Sequence, residues 1–234
     1  MIKVVIFDFD NTIEQWIVPE AEVDIVMSEK IAKKYGLHPT LFRSAYNDVK
    51  NKLRGGKYPS VHDRYNWYRG ALAQFKIIAE DKQLTAWTEE YWKEITKRVS
   101  LFPGVSELLS ELRKKYKLAI LTDSDGKKEY KMMRIKKLKV DKMVDGVFTT
   151  DDTGFNKPDP RIYQLIMKTF NVKPDECIMV GDDPSSDLLG AKRLGMKTIW
   201  TKQSIHVSSH HAFIDYEITD IKEVAKILNE KALK

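Results

Sequence analysis

The chain has 234 residues, of which 42% are hydrophobic, and its formal net charge is +6. This length can bury a full core as one large domain or two smaller ones. No apolar stretch approaches the length that crosses a bilayer, and the single cysteine, Cys177, excludes an internal disulfide. We therefore expect a cytoplasmic protein with no membrane partner.

Basic residues concentrate in two segments, 113–117 and 127–139. In the second segment they alternate with Met132, Ile135 and Leu138, which is typical of a helix with one buried stripe. No nucleic-acid-binding motif accompanies them. We expect a solvated helix face, no nucleic-acid partner, and a positive field that steers anionic substrates.

The first predicted element is a strand rich in Val and Ile, residues 2–7, which ends in Asp8-Phe9-Asp10. Side chains alternate along a strand, so Asp8 and Asp10 share one face while Phe9 faces the other way. Burying a strand that ends in two carboxylates is costly unless something compensates their charge. The pair indicates a cation site, a phosphate-handling site, or both; a pair of turn-capping aspartates is the alternative.

A helical pattern follows, from Thr12 to about residue 98. Its apolar positions predict four helices, within 25–32, 41–53, 67–78 and 87–99. The segment 53–65 is the least helical, and its Gly55-Gly56 pair predicts a turn. Its polar side chains are candidates to reach a substrate, with an ordinary exposed loop as the alternative: Arg54, Lys57, His62, Arg64 and Tyr65.

Strands and helices alternate after Pro103-Gly104. A strand at 118–121 delivers the hydroxyl of Thr122, followed by Asp123, and Lys157 later stands just before a helix that begins with proline. Taken singly, the threonine is more typical of a turn cap and the lysine of a solvated loop.

A second acidic cluster, with Asp182, Asp183 and Asp187, follows the apolar strand 177–180. In open α/β sheets, ligands bind at the carboxyl ends of the strands. If this strand neighbours the first one, four or five carboxylates converge on one small volume, and their repulsion requires a cation. Hard oxygen ligands with few His or Cys nearby favour Mg²⁺.

The order of the elements predicts the fold class. Strand and helix patterns alternate up to a short strand at 216–218 and a closing helix at 221–228. This alternation is typical of an α/β protein with a Rossmann-like parallel sheet and helices on both faces. We expect such a core together with a smaller α-helical domain inserted after the first strand.

These segments resemble, in order, the four motifs of the haloacid dehalogenase-like (HAD) superfamily. The four are Asp8-Phe9-Asp10-Asn11-Thr12, then Thr122, then Lys157 with the proline after it, and finally Gly181-Asp182-Asp183 with Asp187. Each motif is weak alone, but four in this order make a specific match. The resemblance covers about residues 1–13 and 100–234 and not the sequence between them.

The resemblance implies catalytic roles for four residues. Asp8 would be the nucleophile that takes the phosphoryl group as an aspartyl-phosphate, and Asp10 would be the general acid and base. Thr122 and the backbone N–H of Asp123 would hold phosphate oxygens. Lys157 would neutralise charge on Asp8 and on the phosphate.

The resemblance also implies a Mg²⁺ site. Asp182 would be a direct ligand, beside Asp8 and the backbone carbonyl of Asp10. Asp183 or Asp187 would bind the ion directly or through water.

Two positions depart from the usual motifs. Asn11 stands where glycine is frequent, and both residues adopt tight turns. Asp123 stands where a neutral residue is more usual, and we expect its carboxylate to face away from a bound phosphate.

The resemblance implies a catalytic core of residues 1–13 and 99–234 and a helical cap of residues 14–98 that selects the substrate. We expect Mg²⁺-dependent hydrolysis of a small phosphorylated metabolite by a monomer or homodimer. The alternatives are a phosphomutase, a 2-haloacid dehalogenase of the same superfamily, and a non-catalytic protein that binds a phosphate ligand. A dehalogenase protonates no leaving alkoxide, so the presence of Asp10 favours phosphate chemistry.

Overall fold

The computed structural model describes residues 1–54, 62–204 and 211–229, including the backbone of Arg54 but not its side chain. The chain forms two compact units. The core unit comprises Met1–Trp16, Ser100–Asp123 and Ile135–Lys234, and the helical unit comprises Ile17–Val99 and Ser124–Arg134.

Eight strands occur in the described residues. They are β1 (Val4–Phe7), β2 (Glu14–Gln15), β3 (Ser100–Leu101), β4 (Lys117–Thr122), β5 (Gly146–Thr149), β6 (Cys177–Gly181), β7 (Lys197–Thr201) and β8 (Tyr216–Ile218). Six of them form one sheet in the order β5-β4-β1-β6-β7-β8, and each neighbouring pair is parallel. The predicted α/β class is therefore confirmed.

The helices are α1 (Ile17–Lys34), α2 (Pro39–Arg54), α3 (Arg64–Ala73), α4 (Asp81–Arg98), α5 (Val105–Leu112), α6 (Lys128–Lys137), α7 (Val140–Met143), α8 (Pro160–Phe170), α9 (Leu189–Arg193) and α10 (Glu223–Asn229). A π-helical turn, Pro184–Leu188, directly precedes α9. Among the described residues, no helix combines the length and apolar character that a bilayer crossing requires.

The central strands of the sheet are buried on both faces, which explains their continuous apolar sequences. All four residues of β1 and all five of β6 are buried. On one face, Val4, Ala119 and Met179 pack with Ile162 and Ile166 of α8. Because β1 lies between β4 and β6, the residues after these three strands emerge at one edge of the sheet.

Four helices, α1 to α4, make up most of the helical unit, as the insert pattern predicted. The third predicted helix, 67–78, is shorter than expected, because α3 ends at Ala73. Lys76 adopts a left-handed conformation, with φ 59°. The N–H of Ile77 then donates to the carbonyl of Leu72 (3.1 Å), a Schellman-type end that turns the chain out of the helix.

The helical unit contains a buried charged network around Arg64. The guanidinium donates to Glu20 (2.9 Å) and to the hydroxyl of Tyr91 (3.0 Å), and it lies 3.9 Å from the ring centre of Trp67. Lys50 binds the same Glu20 at 2.8 Å. Arg64 was a candidate substrate contact from the sequence, but it is only 2% exposed and its described contacts lie within the helical unit.

The segment 124–134 differs from the sequence prediction in two ways. It was predicted to belong to the core, but it clusters with the helical unit, where Tyr130 stacks on Trp92 at 5.8 Å between ring centres. It was also expected to present a solvated basic face. Lys131 and Arg134 are instead buried, and both bind Asp125, at 3.0 Å and 2.9 Å. The expectation was wrong for these two residues, because a buried carboxylate neutralises part of their charge. Other lysines of the segment, such as Lys136, are exposed as expected.

We predict that replacing Arg64 with methionine destabilises the protein by about 3 kcal/mol, because it removes the cation from a buried ion pair and leaves carboxylate charge buried. The free energy of unfolding in urea measures this effect. Arg69→Met, on the exposed side of the same helix, is the control and should change it by about 0.5 kcal/mol or less. Equal effects of the two substitutions would contradict the importance of the buried network.

Candidate active site

The ends of β1, β4 and β6 bring the first, second and fourth sequence motifs together. Phe7 pairs with Ile120 of β4 on one side and with Val180 of β6 on the other. The N–H of Asp8 donates to the carbonyl of Val180 (2.9 Å), which continues the ladder by one residue. Asp8 and Asp182 therefore leave adjacent strands at nearly the same height, and Thr122 ends the strand on the other side.

Three carboxylates meet at this edge of the sheet. Asp8, Asp182 and Asp187 can each place an oxygen so that all three oxygens lie within 4.8 Å of one another. Lys157 reaches the same point, and its Nζ donates to Asp8 Oδ1 at 2.5 Å and to Asp187 Oδ1 at 2.7 Å. Asp8, Asp187 and Lys157 are all buried. The site thus contains more acidic than basic side chains.

Burial raises the pKa values of the three carboxyl groups, and their acidic neighbours add to the effect. Burial raises the pKa of Asp8 to about 8; Asp187 and Asp10 add to the shift, and Lys157 opposes it. Burial also raises the pKa of Asp182 and that of Asp187. Burial favours the neutral amine of Lys157, but the charges of Asp187 and Asp8 outweigh it and hold the lysine pKa well above its usual value. The site therefore retains protons unless a cation replaces them.

Asp183 and Asp187, which the sequence left as alternatives for a metal ligand, have different positions. Asp183 is exposed, and its Oδ1 accepts from the N–H groups of Ser185 (2.8 Å) and Ser186 (3.2 Å), so it caps the π-helical turn. Asp187, at the buried side of the turn, belongs to the carboxylate cluster. The geometry brings together Asp8, Asp182 and Asp187 and leaves Asp183 outside this cluster.

Asp123 connects the second motif to the third. Its Oδ1 accepts a hydrogen bond from the backbone N–H of Lys157 at 3.2 Å. Thr122 is fully buried at the end of β4, and its hydroxyl donates to the carbonyl of Asp123 (3.3 Å). The carboxylate of Asp123 therefore has a partner in the chain segment that carries Lys157.

Asp10 lies just beyond the cluster, in a turn that starts after β1. Asn11 adopts the left-handed conformation expected from its glycine-like position, with φ 58°. Its N–H donates to the carbonyl of Glu14 (2.8 Å). Asp10 is half-buried, and its charge contributes to the raised pKa of Asp8, so the two acids of the first motif act on each other.

Two of the five candidate side chains from the segment 53–65 lie outside the part of the chain that the structure describes. Lys57 lies outside the described residues, and only the backbone of Arg54 is described, as the last residue of α2. Their predicted contact with substrate stays a prediction.

Two aromatic residues that the sequence analysis did not identify form hydrogen bonds to the backbone of the site. The indole N–H of Trp200, in β7, donates to the carbonyl of Asp182 at 2.9 Å. The hydroxyl of Tyr163, in α8, lies 2.8 Å from the carbonyl oxygen of Asp187. Both residues fit the apolar patterns of their elements, so only the folded structure shows these polar contacts.

Comparisons with known proteins agree with this geometry. The family model described as haloacid dehalogenase-like hydrolase matches residues 64–201. The glyceraldehyde 3-phosphate phosphatase of Pyrococcus furiosus is 29% identical, over 98% of this chain and 94% of the relative. The protein of the same name from Pyrococcus abyssi is 30% identical, over 86% of this chain and 82% of the relative.

Solved structures agree with the sequence relatives. The crystal structure of a HAD phosphatase from Thermococcus onnurineus superimposes with a TM-score of 0.73 at 27% identity, and the match covers 97% of this chain and 98% of that one. The resemblance and the enzyme class predicted from the sequence, a phosphatase, are confirmed by these relatives. The chain belongs to the haloacid dehalogenase-like hydrolase family.

Proposed function

We propose that the protein is a Mg²⁺-dependent phosphatase that hydrolyses a small phosphomonoester through an aspartyl-phosphate on Asp8. One observation carries the proposal: a buried lysine bridges Asp8 and Asp187, and Asp182 stands beside both. A nucleophilic carboxylate, a fixed cation and an acidic ion site are the parts that phosphoryl transfer requires.

The residues present fit a Mg²⁺ ion. The donor set is made of carboxylate oxygens from Asp8, Asp182 and Asp187, which are hard ligands of the kind that Mg²⁺ prefers. The raised pKa of Asp8 agrees with this assignment: burial is its main cause, the charges of Asp187 and Asp10 add to it, and a bound cation would offset both effects. When bound, the ion would stabilise negative charge on the phosphate and on Asp8.

In the proposed reaction, Asp8 attacks phosphorus and forms the aspartyl-phosphate, while Asp10 donates a proton to the leaving oxygen of the ester. Asp10 then removes a proton from the water that attacks the phosphorus of the intermediate. Thr122 and the N–H of Asp123 hold phosphate oxygens, and Lys157 places a positive charge beside them. Asp123 in turn holds the backbone of Lys157 in place.

Glyceraldehyde 3-phosphate is the first substrate to test, because both Pyrococcus relatives carry its name. Phosphoglycolate, a sugar phosphate and a nucleotide complete the panel of phosphomonoesters to test. A phosphomutase would return the phosphoryl group to a sugar, and a dehalogenase would release halide from a haloacid, so both alternatives give products other than inorganic phosphate.

The first prediction from the proposed function concerns product release. With Mg²⁺, the enzyme should release inorganic phosphate from this panel and most rapidly from the triose phosphate; with excess chelator, release should stop. A colorimetric phosphate assay measures both. Halide release from 2-chloropropionate, or conversion of a sugar phosphate to its isomer without phosphate release, would contradict the phosphatase assignment.

The second prediction separates the two acids of the first motif. Asp8→Asn removes the nucleophile and should lower kcat by about 10⁴-fold or more. Asp10→Asn keeps the nucleophile but removes proton transfer, and should lower kcat by about 10²- to 10⁴-fold. Asp175→Asn, an exposed aspartate that precedes β6, is the matched control and should keep full activity. Full activity of either motif variant would refute its role.

The third prediction concerns pH. Between pH 3.8 and about 8, folded protein without metal holds a proton on Asp8 that the unfolded chain releases. The folded state then binds more protons, so the free energy of unfolding should fall as pH rises, by about 1.4 kcal/mol per pH unit for each such proton. Mg²⁺ binds the ionised carboxylates, so its stabilising effect should grow over the same range.

Urea unfolding with chelator and with Mg²⁺, at several pH values between about 5 and 8, measures both effects. Asp8→Asn is the control, and its stability should depend less on pH. A metal-free protein that gains stability as pH rises through this window would contradict the account.

A further inference from the structure

Asp187 is presented to the site by an unusual piece of backbone. It lies in the π-helical turn Pro184–Leu188, between β6 and α9, where the N–H of Leu189 reaches back to the carbonyl of Pro184. π-helical turns are rare and occur frequently at functional sites. Both oxygens of the Asp187 carboxylate are engaged, Oδ1 by Lys157 (2.7 Å) and Oδ2 by the N–H of Asp183 (3.1 Å).

Tyr163 of α8 contacts the backbone of the π-helical turn. Its hydroxyl lies 2.9 Å from the carbonyl oxygen of Ser186 and 2.8 Å from that of Asp187. Carbonyl oxygens only accept, so the tyrosine hydroxyl is the donor. Tyr163 is fully buried, and burial raises its pKa well above the usual value, so the hydroxyl keeps its proton at neutral pH.

Two glycines make this arrangement possible. A Cβ on Gly181 would lie 2.5 Å from the Cβ of Asp187, so only glycine leaves room for that side chain beside β6. A Cβ on Gly190 would lie 2.6 Å from the carbonyl oxygen of Pro158 and 2.9 Å from the hydroxyl of Tyr163. α9 therefore approaches both the segment after Lys157 and the tyrosine at distances that no other residue allows.

We infer that Tyr163 is a positioning residue that fixes Asp187 for Mg²⁺ binding and ties it to the segment that carries Lys157. The hydroxyl acts on the backbone of Asp187, and α8, which carries Tyr163, begins three residues after Lys157. The helix that begins just after Lys157 thus also holds the backbone of the carboxylate that Lys157 contacts. The expected effect of Tyr163 on metal binding rests on the proposed Mg²⁺-dependent function. Its expected effect on the π-helical turn does not.

The test is Tyr163→Phe, which removes the hydroxyl and keeps the ring. Removal of partners that orient metal ligands typically costs 10- to 100-fold in metal affinity. We expect the Mg²⁺ dissociation constant, measured by calorimetry without substrate, to rise about tenfold. We expect kcat at saturating Mg²⁺ to change by about twofold or less, since no reacting atom touches Tyr163. Tyr46→Phe is the matched control, because it removes a buried hydroxyl that donates to Asp24 in the helical unit, and it should leave Mg²⁺ affinity unchanged.

Hydrogen exchange gives a second readout that needs no metal. In metal-free Tyr163→Phe, amide exchange in a peptide covering residues 183–189 should accelerate, while exchange in a peptide covering β1 stays unchanged. Unchanged Mg²⁺ affinity together with unchanged exchange in the turn would overturn the inference. If wild-type protein binds no Mg²⁺, the proposed function fails. In that case faster exchange in the turn of Tyr163→Phe would still support the positioning role of Tyr163, and unchanged exchange would overturn that role.

Discussion

The structure depends on one electrostatic constraint: three carboxylates share a buried volume that contains one lysine. Asp8, Asp182 and Asp187 cannot all be ionised there at low cost, because burial and mutual repulsion both oppose it. Lys157 offsets part of this cost through its contacts with Asp8 and Asp187. The remaining charge favours either a bound proton or a bound cation. In the proposed mechanism, exchange of a proton for the ion would link metal affinity to pH and would favour the ionised form of Asp8 when the ion is bound.

The parallel sheet provides the geometry that this constraint requires. Because β1 lies between β4 and β6, the proposed nucleophile Asp8 lies between the segment proposed to bind phosphate and the one proposed to bind metal. β1 and β6 are buried along their whole length, while polar groups start where each of the three strands ends. The contacts from Trp200 and Tyr163 then fix the backbone of Asp182 and Asp187. In the proposed site, side chains that touch no reacting atom would thus keep the carboxylates close enough to share one ion.

Much of this architecture could be predicted from the sequence, because strand ends followed by acids are a local pattern. Asp8, Asp182 and the left-handed Asn11 fall where the pattern placed them. The sequence could not separate Asp183 from Asp187, since the difference lies in which one caps a π-helical turn. It also predicted a solvated face where Lys131 and Arg134 are buried against Asp125. Periodicity identifies apolar stripes, but it does not report the partners that allow charged residues to be buried.

The central claim is that Asp8 carries the phosphoryl group. The most direct measurement is to mix the Asp10→Asn variant with an aryl phosphate labelled in its phosphoryl group, because the stable phenolate leaves without a proton from Asp10. The reaction is then quenched in acid and the labelled peptide is mapped. Without its general base, this variant should hydrolyse the intermediate slowly and accumulate it. We expect the label in the amino-terminal peptide, on Asp8, and none when Asp8 is also replaced by Asn. Label on another residue, or turnover without any covalent label, would contradict the account.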